Sequence, residues 1–399
     1  MIKKISYIAS GFLLGQGSMF LALTYLVGRG DFTNISNIGI SLGLLSLIQW
    51  AADGGGVFLI PKIIKENNGT LNFRNFFIAR LIFSSLFYAL LLIFLSFFAL
   101  NNFIIEVLLF SFFVMLIWSM NATGIADYLN MNKTCGPISG LNWLFSSVAV
   151  FFFMEHQYFP YILSLSFILG LSFTVVIQHK LLNKKLNYIL EFELTKIIEN
   201  LKLICGFNLG FLSSQGYSRI IPILIDQHLN TNIAGMYVYS KNVSNIFSQL
   251  IQFSRRAEFK YILETISKNN RINVKTFFQL QISSYLIAIS ALVLSSFAYI
   301  ITKIFNLETY YSLLEINIIM MSILLLWVFT SSLAQILIAK GKLINYGLIV
   351  FGGSWLTLYG MYLILSQSNY GIVGIFLLEV LLLIYLAISY LIILRKSGC

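Results

Sequence analysis

Apolar residues gather along this chain into about twelve long stretches, separated by short polar connections. They lie near 8–27, 35–60, 76–99, 103–121, 136–154, 160–178, 203–225, 233–253, 277–301, 311–337, 344–365 and 371–394. Each is close to or above the ~20 residues that carry a helix across ~30 Å of hydrocarbon. The pattern predicts an all-α integral membrane protein with about 12 transmembrane helices. Connections on one side are short, at 28–34, 100–102, 155–159, 226–232, 302–310 and 366–370. The longer polar segments, 179–202 and 254–276, fall on the other side.

Charge gives this arrangement a direction. Of the 26 Lys and Arg, only Arg29 and Lys303 fall in the short connections, Arg219 and Lys241 fall well inside spans, and Arg80 lies about one turn inside the third span on the side of the longer segments. The rest collect on the side of the longer segments, among them Lys62, Lys133, Lys184, Arg256, Lys342 and Arg395. By the positive-inside rule that side is cytoplasmic, and both termini are expected there. Met1–Lys4 supplies a short basic start without a small-residue cleavage pattern after it, so the first apolar run is expected to be a retained span.

Composition excludes most other classes. The chain is 58% hydrophobic and 10% charged, which leaves too little polar surface to cover a soluble domain of 399 residues. A net charge of +11 would fit nucleic acid in another context. Here the basic loops are placed to meet anionic lipid headgroups, aromatic residues sit inside spans instead of among the bases, and no nucleic-acid partner is expected. Cys135, Cys205 and Cys399 all map to the cytoplasmic side, as reduced thiols.

The chain reads as two halves. Residues 1–180 and 203–399 each hold six spans, joined by 181–202, where Lys184, Lys185, Glu191, Glu193, Lys196 and Glu199 alternate with Leu and Ile as in an interfacial amphipathic helix. Thr33-Asn34-Ile35 opens the second span and Thr231-Asn232-Ile233 opens the eighth, close to half a chain apart. Repeated halves of this kind are common in transporters. Gly11 and Gly15, and Gly206 and Gly210, are expected to pack helices closely. Gly54-Gly55-Gly56 weakens a helix by ~1 kcal/mol per glycine, which predicts a local break.

Charges within spans cost ~2.5–3.5 kcal/mol each at mid-membrane and need a reason. Arg219 lies within the seventh span, Lys241 within the eighth and Arg80 about one turn into the third. Asp53 is in the second and Glu379 in the twelfth. One reading is structural: the bases pair with Asp53, Glu379 or backbone carbonyls, and Arg80 snorkels to the inner interface. The other is a cationic, water-filled cavity between the halves, in which Arg219, Lys241 and Arg80 bind a polyprenyl diphosphate headgroup. Gln215, Tyr217, Ser218, Tyr239 and Asn242 would then bond sugar hydroxyls. Asp53 and Glu379 are candidates for ion coupling, taking up a proton or Na⁺ in one conformation and releasing it in another.

Some chemistries have no residues to support them. The chain has no phosphate-binding loop of the G-x-x-x-x-G-K-[ST] type. His156, His179 and His228 lie apart, without a metal-ligand spacing. No catalytic triad is indicated, and no long outer loop is present to house an active site. No enzyme, no metal and no cofactor are expected beyond a proton or Na⁺ gradient.

Several segments resemble the Wzx-type O-antigen flippases, in the polysaccharide-transporter branch of the MOP superfamily that also holds MATE transporters and lipid II flippases. The resemblance rests on Asp53-Gly54-Gly55 ending the second span, Arg219-Ile220-Ile221 followed by Gly235-Met236-Tyr237, Lys340-Gly341-Lys342, and Asn369-Tyr370-Gly371-Ile372-Val373-Gly374 followed by Glu379. Where that family often has Asp before the Arg of the seventh span, this chain has Ser218. The resemblance implies a MATE-like fold of two pseudo-symmetric six-helix bundles. It also implies alternating access, ion coupling and transfer of undecaprenyl-diphosphate-linked oligosaccharide between leaflets of a bacterial inner membrane. An O-antigen polymerase and a chain-length regulator are implied partners, beside membrane lipids. A MATE-like drug or cation antiporter and an integral-membrane polysaccharide polymerase are the alternatives.

Overall fold

A computed structural model describes residues 10–56, 59, 60, 63, 64, 72–129, 131–182, 191–268, 274–340, 342–367 and 371–396. Regular structure among them is entirely helical. A π-helical turn, Leu13–Gly17, leads into α1 (Ser18–Gly28), followed by α2 (Phe32–Asp53) and α3 (Phe73–Leu95). The fourth span is broken into α4 (Asn102–Leu108), α5 (Ser111–Ser119) and α6 (Thr123–Tyr128), and the fifth into α7 (Asn132–Ile138) and α8 (Leu141–Phe153). Then come α9 (Phe159–Leu182), α10 (Leu194–His228), α11 (Thr231–Lys268), α12 (Val274–Ile304), α13 (Tyr311–Ala339), α14 (Leu343–Gln367) and α15 (Gly371–Lys396).

Among the described residues, 10 helical stretches are long and apolar enough to cross a membrane. The other two expected spans, 203–225 and 233–253, fall inside α10 and α11, which are 35 and 38 residues long. At 1.5 Å per residue both have ample length. They fall short on apolarity alone, because Asn208, Gln215, Arg219, Lys241, Asn242 and Asn245 interrupt them. The structure also corrects one boundary. The segment 254–276 is not a loop throughout, because α11 continues through it to Lys268.

Contacts divide the chain into two compact units, Met1–Leu26 with Asn37–Arg219, and Val27–Ser36 with Ile220–Cys399. The linker expected at 181–202 lies partly outside the described residues, at 183–190, and from Leu194 onward it is the first turns of α10.

Local chemistry sets the helix ends. The side chains of Asp31, Asn72, Asn101 and Asn230 each accept a backbone N–H three residues on, at 2.8–3.2 Å. Each satisfies one of the donors that a helix start leaves open. α2 stops where the triple glycine predicts, with Gly54 and Gly55 at φ +57° and +72°, a conformation that costs glycine little and other residues much.

In the first unit, the segment leading into α1 crosses the fifth span closely. A Cβ on Gly11 would stand 2.0 Å from the Gly136 carbonyl oxygen, and one on Gly15 would stand 2.6 Å from that of Gly140. Gly206, expected to do the same, has no neighbour within 4 Å of a Cβ. The core here joins Ile60, Phe76, Ala79, Ile125, Ile197 and Ile204. In the second unit, Ile251, Ala288, Met321 and Val328 form one cluster, and Leu337, Val350 and Tyr390 another. The two Thr-Asn-Ile segments meet there, the Thr33 hydroxyl donating to Asn232 Oδ1 at 3.2 Å.

Burial separates central from peripheral helices. In the α2 span 83% of the residues in the apolar stretch are buried, whereas in Gln281–Ile304 of α12 only 17% are. Leu86, Leu90, Phe97, Phe152, Val176 and Leu356 are all more than 60% exposed. Such apolar surface is stable only against hydrocarbon, where the backbone satisfies itself by helical hydrogen bonds.

Candidate functional site

Three intramembrane bases were singled out by the sequence, and the structure surrounds each differently. Arg80, on α3, is fully enclosed at 0% exposure. Its Nη1 donates to the carbonyls of Asn121 at 2.6 Å and Ser119 at 3.2 Å, where the fourth span is broken. Its Nη2 lies 3.7 Å from Asp53 Oδ1, and the guanidinium stands 4.7 Å from the Phe76 ring centroid. Asn121 also donates to Asp53, at 2.7 Å. The network continues through Thr123, whose hydroxyl donates to Asn121 Oδ1 at 2.6 Å, to Gln178, whose Nε2 donates to Thr123 at 3.0 Å. Gly56 makes room for it, since a Cβ there would stand 1.6 Å from Arg80 Nη2. Arg80 therefore joins the end of α2 to the break in the fourth span.

Arg219, on α10, is half-buried and has no carboxylate partner among the described residues. Its guanidinium stands 5.3 Å from the centroid of the Trp50 ring on α2. Its Nε is buried with no hydrogen-bond partner. A cation over an indole face is stabilised by the ring's quadrupole, by up to about 2 kcal/mol where water is excluded. The ring carries no net charge, so the guanidinium remains electrostatically uncompensated. Ser218 stands beside it with its hydroxyl donating to the Gln215 carbonyl at 3.2 Å.

Lys241, on α11, pairs with Glu379 of α15: Nζ to Oε1 is 3.7 Å, with the side chains 27% and 6% exposed. The Tyr237 hydroxyl donates to the same Glu379 oxygen at 2.9 Å. Tyr237 is one helical turn before Lys241, so both reach the carboxylate from one face of α11. The Tyr237 ring stacks on Phe376 at 6.2 Å between centroids. The lysine is thus the accessible member of a pair whose carboxylate is held in protein.

The remaining predicted polar residues lie on the same two helices. Gln215, Ser218, Tyr239 and Asn242 are half-buried and Tyr217 is buried. Asn242 donates to the Val238 carbonyl at 3.0 Å, within its own helix. α11 is half-buried at every position from Lys241 to Gln249, unlike a helix packed on one face and bare on the other.

Sequence reasoning missed several members. Trp50 looked like one apolar residue among many, although its spacing of seven from Gly43 puts both on one face of α2. Asn121 and Gln178 carried no motif. Arg255 was assigned to a cytoplasmic segment, but because α11 continues it is 3% exposed, donating to the Val328 carbonyl at 2.6 Å and the Ser332 hydroxyl at 3.0 Å. It stands 5.2 Å from the Trp327 ring centroid. Among the described residues no group of three metal-ligating side chains comes together.

The same fold occurs in solved transporters. The lipid II flippase MurJ, in an inward closed conformation, superposes with a TM-score of 0.68 at 12% identity over 98% of this chain and 90% of that one. A MATE structure in complex with MaL6 gives 0.60 at 11% identity, covering 99% and 95%. A MOP superfamily transporter from Pyrococcus furiosus gives 0.58 at 12% identity, covering 99% and 97%. No family model and no curated protein matches the sequence. The fold is MATE/MurJ-like, shared at full length.

Proposed function

We propose that this chain is a flippase that moves undecaprenyl-diphosphate-linked O-antigen repeat units from the cytoplasmic to the periplasmic leaflet of a bacterial inner membrane. Both termini are cytoplasmic in this reading, and transport proceeds by alternating access without a catalytic step. The observation that carries it is Arg219, a half-buried cation in an apolar bundle with no carboxylate partner among the described residues. A diphosphate carries roughly two negative charges, and such a cation lowers the cost of bringing them into a low dielectric. Lys241 adds a second cation, partly exposed, and Gln215, Tyr217, Ser218, Tyr239 and Asn242 offer bonds to sugar hydroxyls. The fold shared with a lipid II flippase supports a lipid-linked cargo. A cation antiporter is less well supported, because Asp53 and Glu379 each already face a base.

Asp53 and Glu379 remain the ion-coupling candidates in this proposal, and Arg80 acts by holding Asp53. A polymerase and a chain-length regulator would use the delivered substrate. Arg219→Ala and Lys241→Ala, each checked for membrane insertion, are expected to block glycan export. Full export by both variants refutes the reading. Asp53→Asn or Glu379→Gln should abolish the dependence of export on pH or Na⁺, and unchanged dependence in both removes them from coupling.

A further inference from the structure

We propose that Trp50 is a positioning residue, which holds the Arg219 guanidinium in place for a phosphate-type anion without neutralising it. This rests on the flippase reading and identifies how its central cation is presented.

The geometry begins with α2 and α10 running past each other in opposite directions. Gly54 and Gly55 face Ile204 and Phe207, while Trp50 meets Phe211, and Gly43 meets Arg219. Gly43 and Trp50 are seven residues apart on α2, two turns along one face and about 10 Å in axial rise. The Arg219 stem crosses α2 at Gly43, where a Cβ would stand 3.2 Å from its Cδ. The guanidinium then reaches the Trp50 face at 5.3 Å. Phe211 meets Trp50 edge-on, at 6.1 Å and an interplanar angle of 73°, and so fixes the ring's orientation.

Charge compensation is the deciding property. Arg80 and Lys241 are each within 3.7 Å of a carboxylate oxygen, and an anion would have to displace that carboxylate. Arg219 stands over a ring with no carboxylate beside it among the described residues, and that distinguishes it from Arg80 and Lys241; a buried Nε without a hydrogen-bond partner is common to Arg80, Arg219 and Arg255. An indole face lowers the energy of the cation without lowering its attraction for an incoming phosphate oxygen. A guanidinium over a ring also has its planar fork fixed, so less side-chain entropy is lost when an anion binds.

The test uses the full-length protein in nanodiscs, with farnesyl diphosphate as the charged probe and farnesol as its uncharged control. Arg219→Gln should weaken diphosphate binding by at least about tenfold, and Trp50→Leu by about tenfold. Trp50→Phe should stay within about threefold of the parent. Trp50→Leu combined with Arg219→Gln should bind no worse than Arg219→Gln alone, because the ring acts only through the cation. Farnesol binding should change less than about twofold throughout. Fluorinated tryptophans at position 50 keep the shape and drain the ring's negative face, so affinity should fall with each added fluorine.

A flat fluorination series, a Trp50→Phe variant as weak as Trp50→Leu, or multiplicative losses in the double variant would overturn the proposal. If the parent binds diphosphate and Arg219→Gln loses it while Trp50→Leu does not, only this inference fails. If the parent does not prefer diphosphate to farnesol, the flippase reading fails with it.

Discussion

Arg80 and Arg219 lie in the same compact unit and solve the same problem differently. Each is a permanent cation in a bundle meant for hydrocarbon. Arg80 is enclosed, with Asp53 balancing its charge and the carbonyls of Ser119 and Asn121 accepting hydrogen bonds from it. Arg219 is half-buried over a neutral ring. A carboxylate cancels a charge and ties two helices together, which suits a joint. A ring stabilises a charge and leaves it available, which suits a seat for an anion. The second unit holds the intermediate case, since Lys241 is paired but 27% exposed, and its carboxylate also accepts from Tyr237.

The contrast is easiest to break at Arg80. Arg80→Ala leaves the Asp53 carboxylate without its countercharge and two carbonyls without their donor, and should cost about 3–5 kcal/mol of stability in thermal unfolding. Adding Asp53→Ala should recover part of that loss, because the orphaned charge is then gone. No recovery would mean that packing, not pairing, dominates there. Next in size is Lys241→Ala, at about 1–2 kcal/mol, reduced by the lysine's exposure to water. Adding Glu379→Gln to that variant should restore some stability. Arg219→Ala should cost less than about 1 kcal/mol in the same assay, since no carboxylate is abandoned. A loss as large as that of Arg80→Ala would erase the distinction drawn here. Ser218→Ala should stay within about 0.5 kcal/mol, because its hydroxyl donates only to its own helix.

Much of the architecture was legible because membrane helices announce themselves by length and apolarity. The break at Gly54–Gly56 could be read from glycine's conformational freedom. Partner choice was not legible. The sequence left Arg219 and Lys241 open to either Asp53 or Glu379. In the structure Asp53 faces Arg80, and Glu379 lies against Lys241 and a tyrosine 142 residues away along the chain. Nothing local encodes such pairings. Trp50 stayed silent because an aromatic residue in a membrane span has the same composition signal whether it faces lipid or a guanidinium. The burial of Arg255 was missed because the bases after residue 254 were read as a loop, when the helix continues through them.

The most direct measurement is translocation of a polyprenyl-diphosphate-linked oligosaccharide in proteoliposomes carrying the parent protein, Arg219→Lys or Arg219→Gln. A charge requirement predicts that Arg219→Lys keeps a substantial part of the rate and Arg219→Gln retains less than about a tenth of it. Equal rates for the parent and Arg219→Gln would contradict the account.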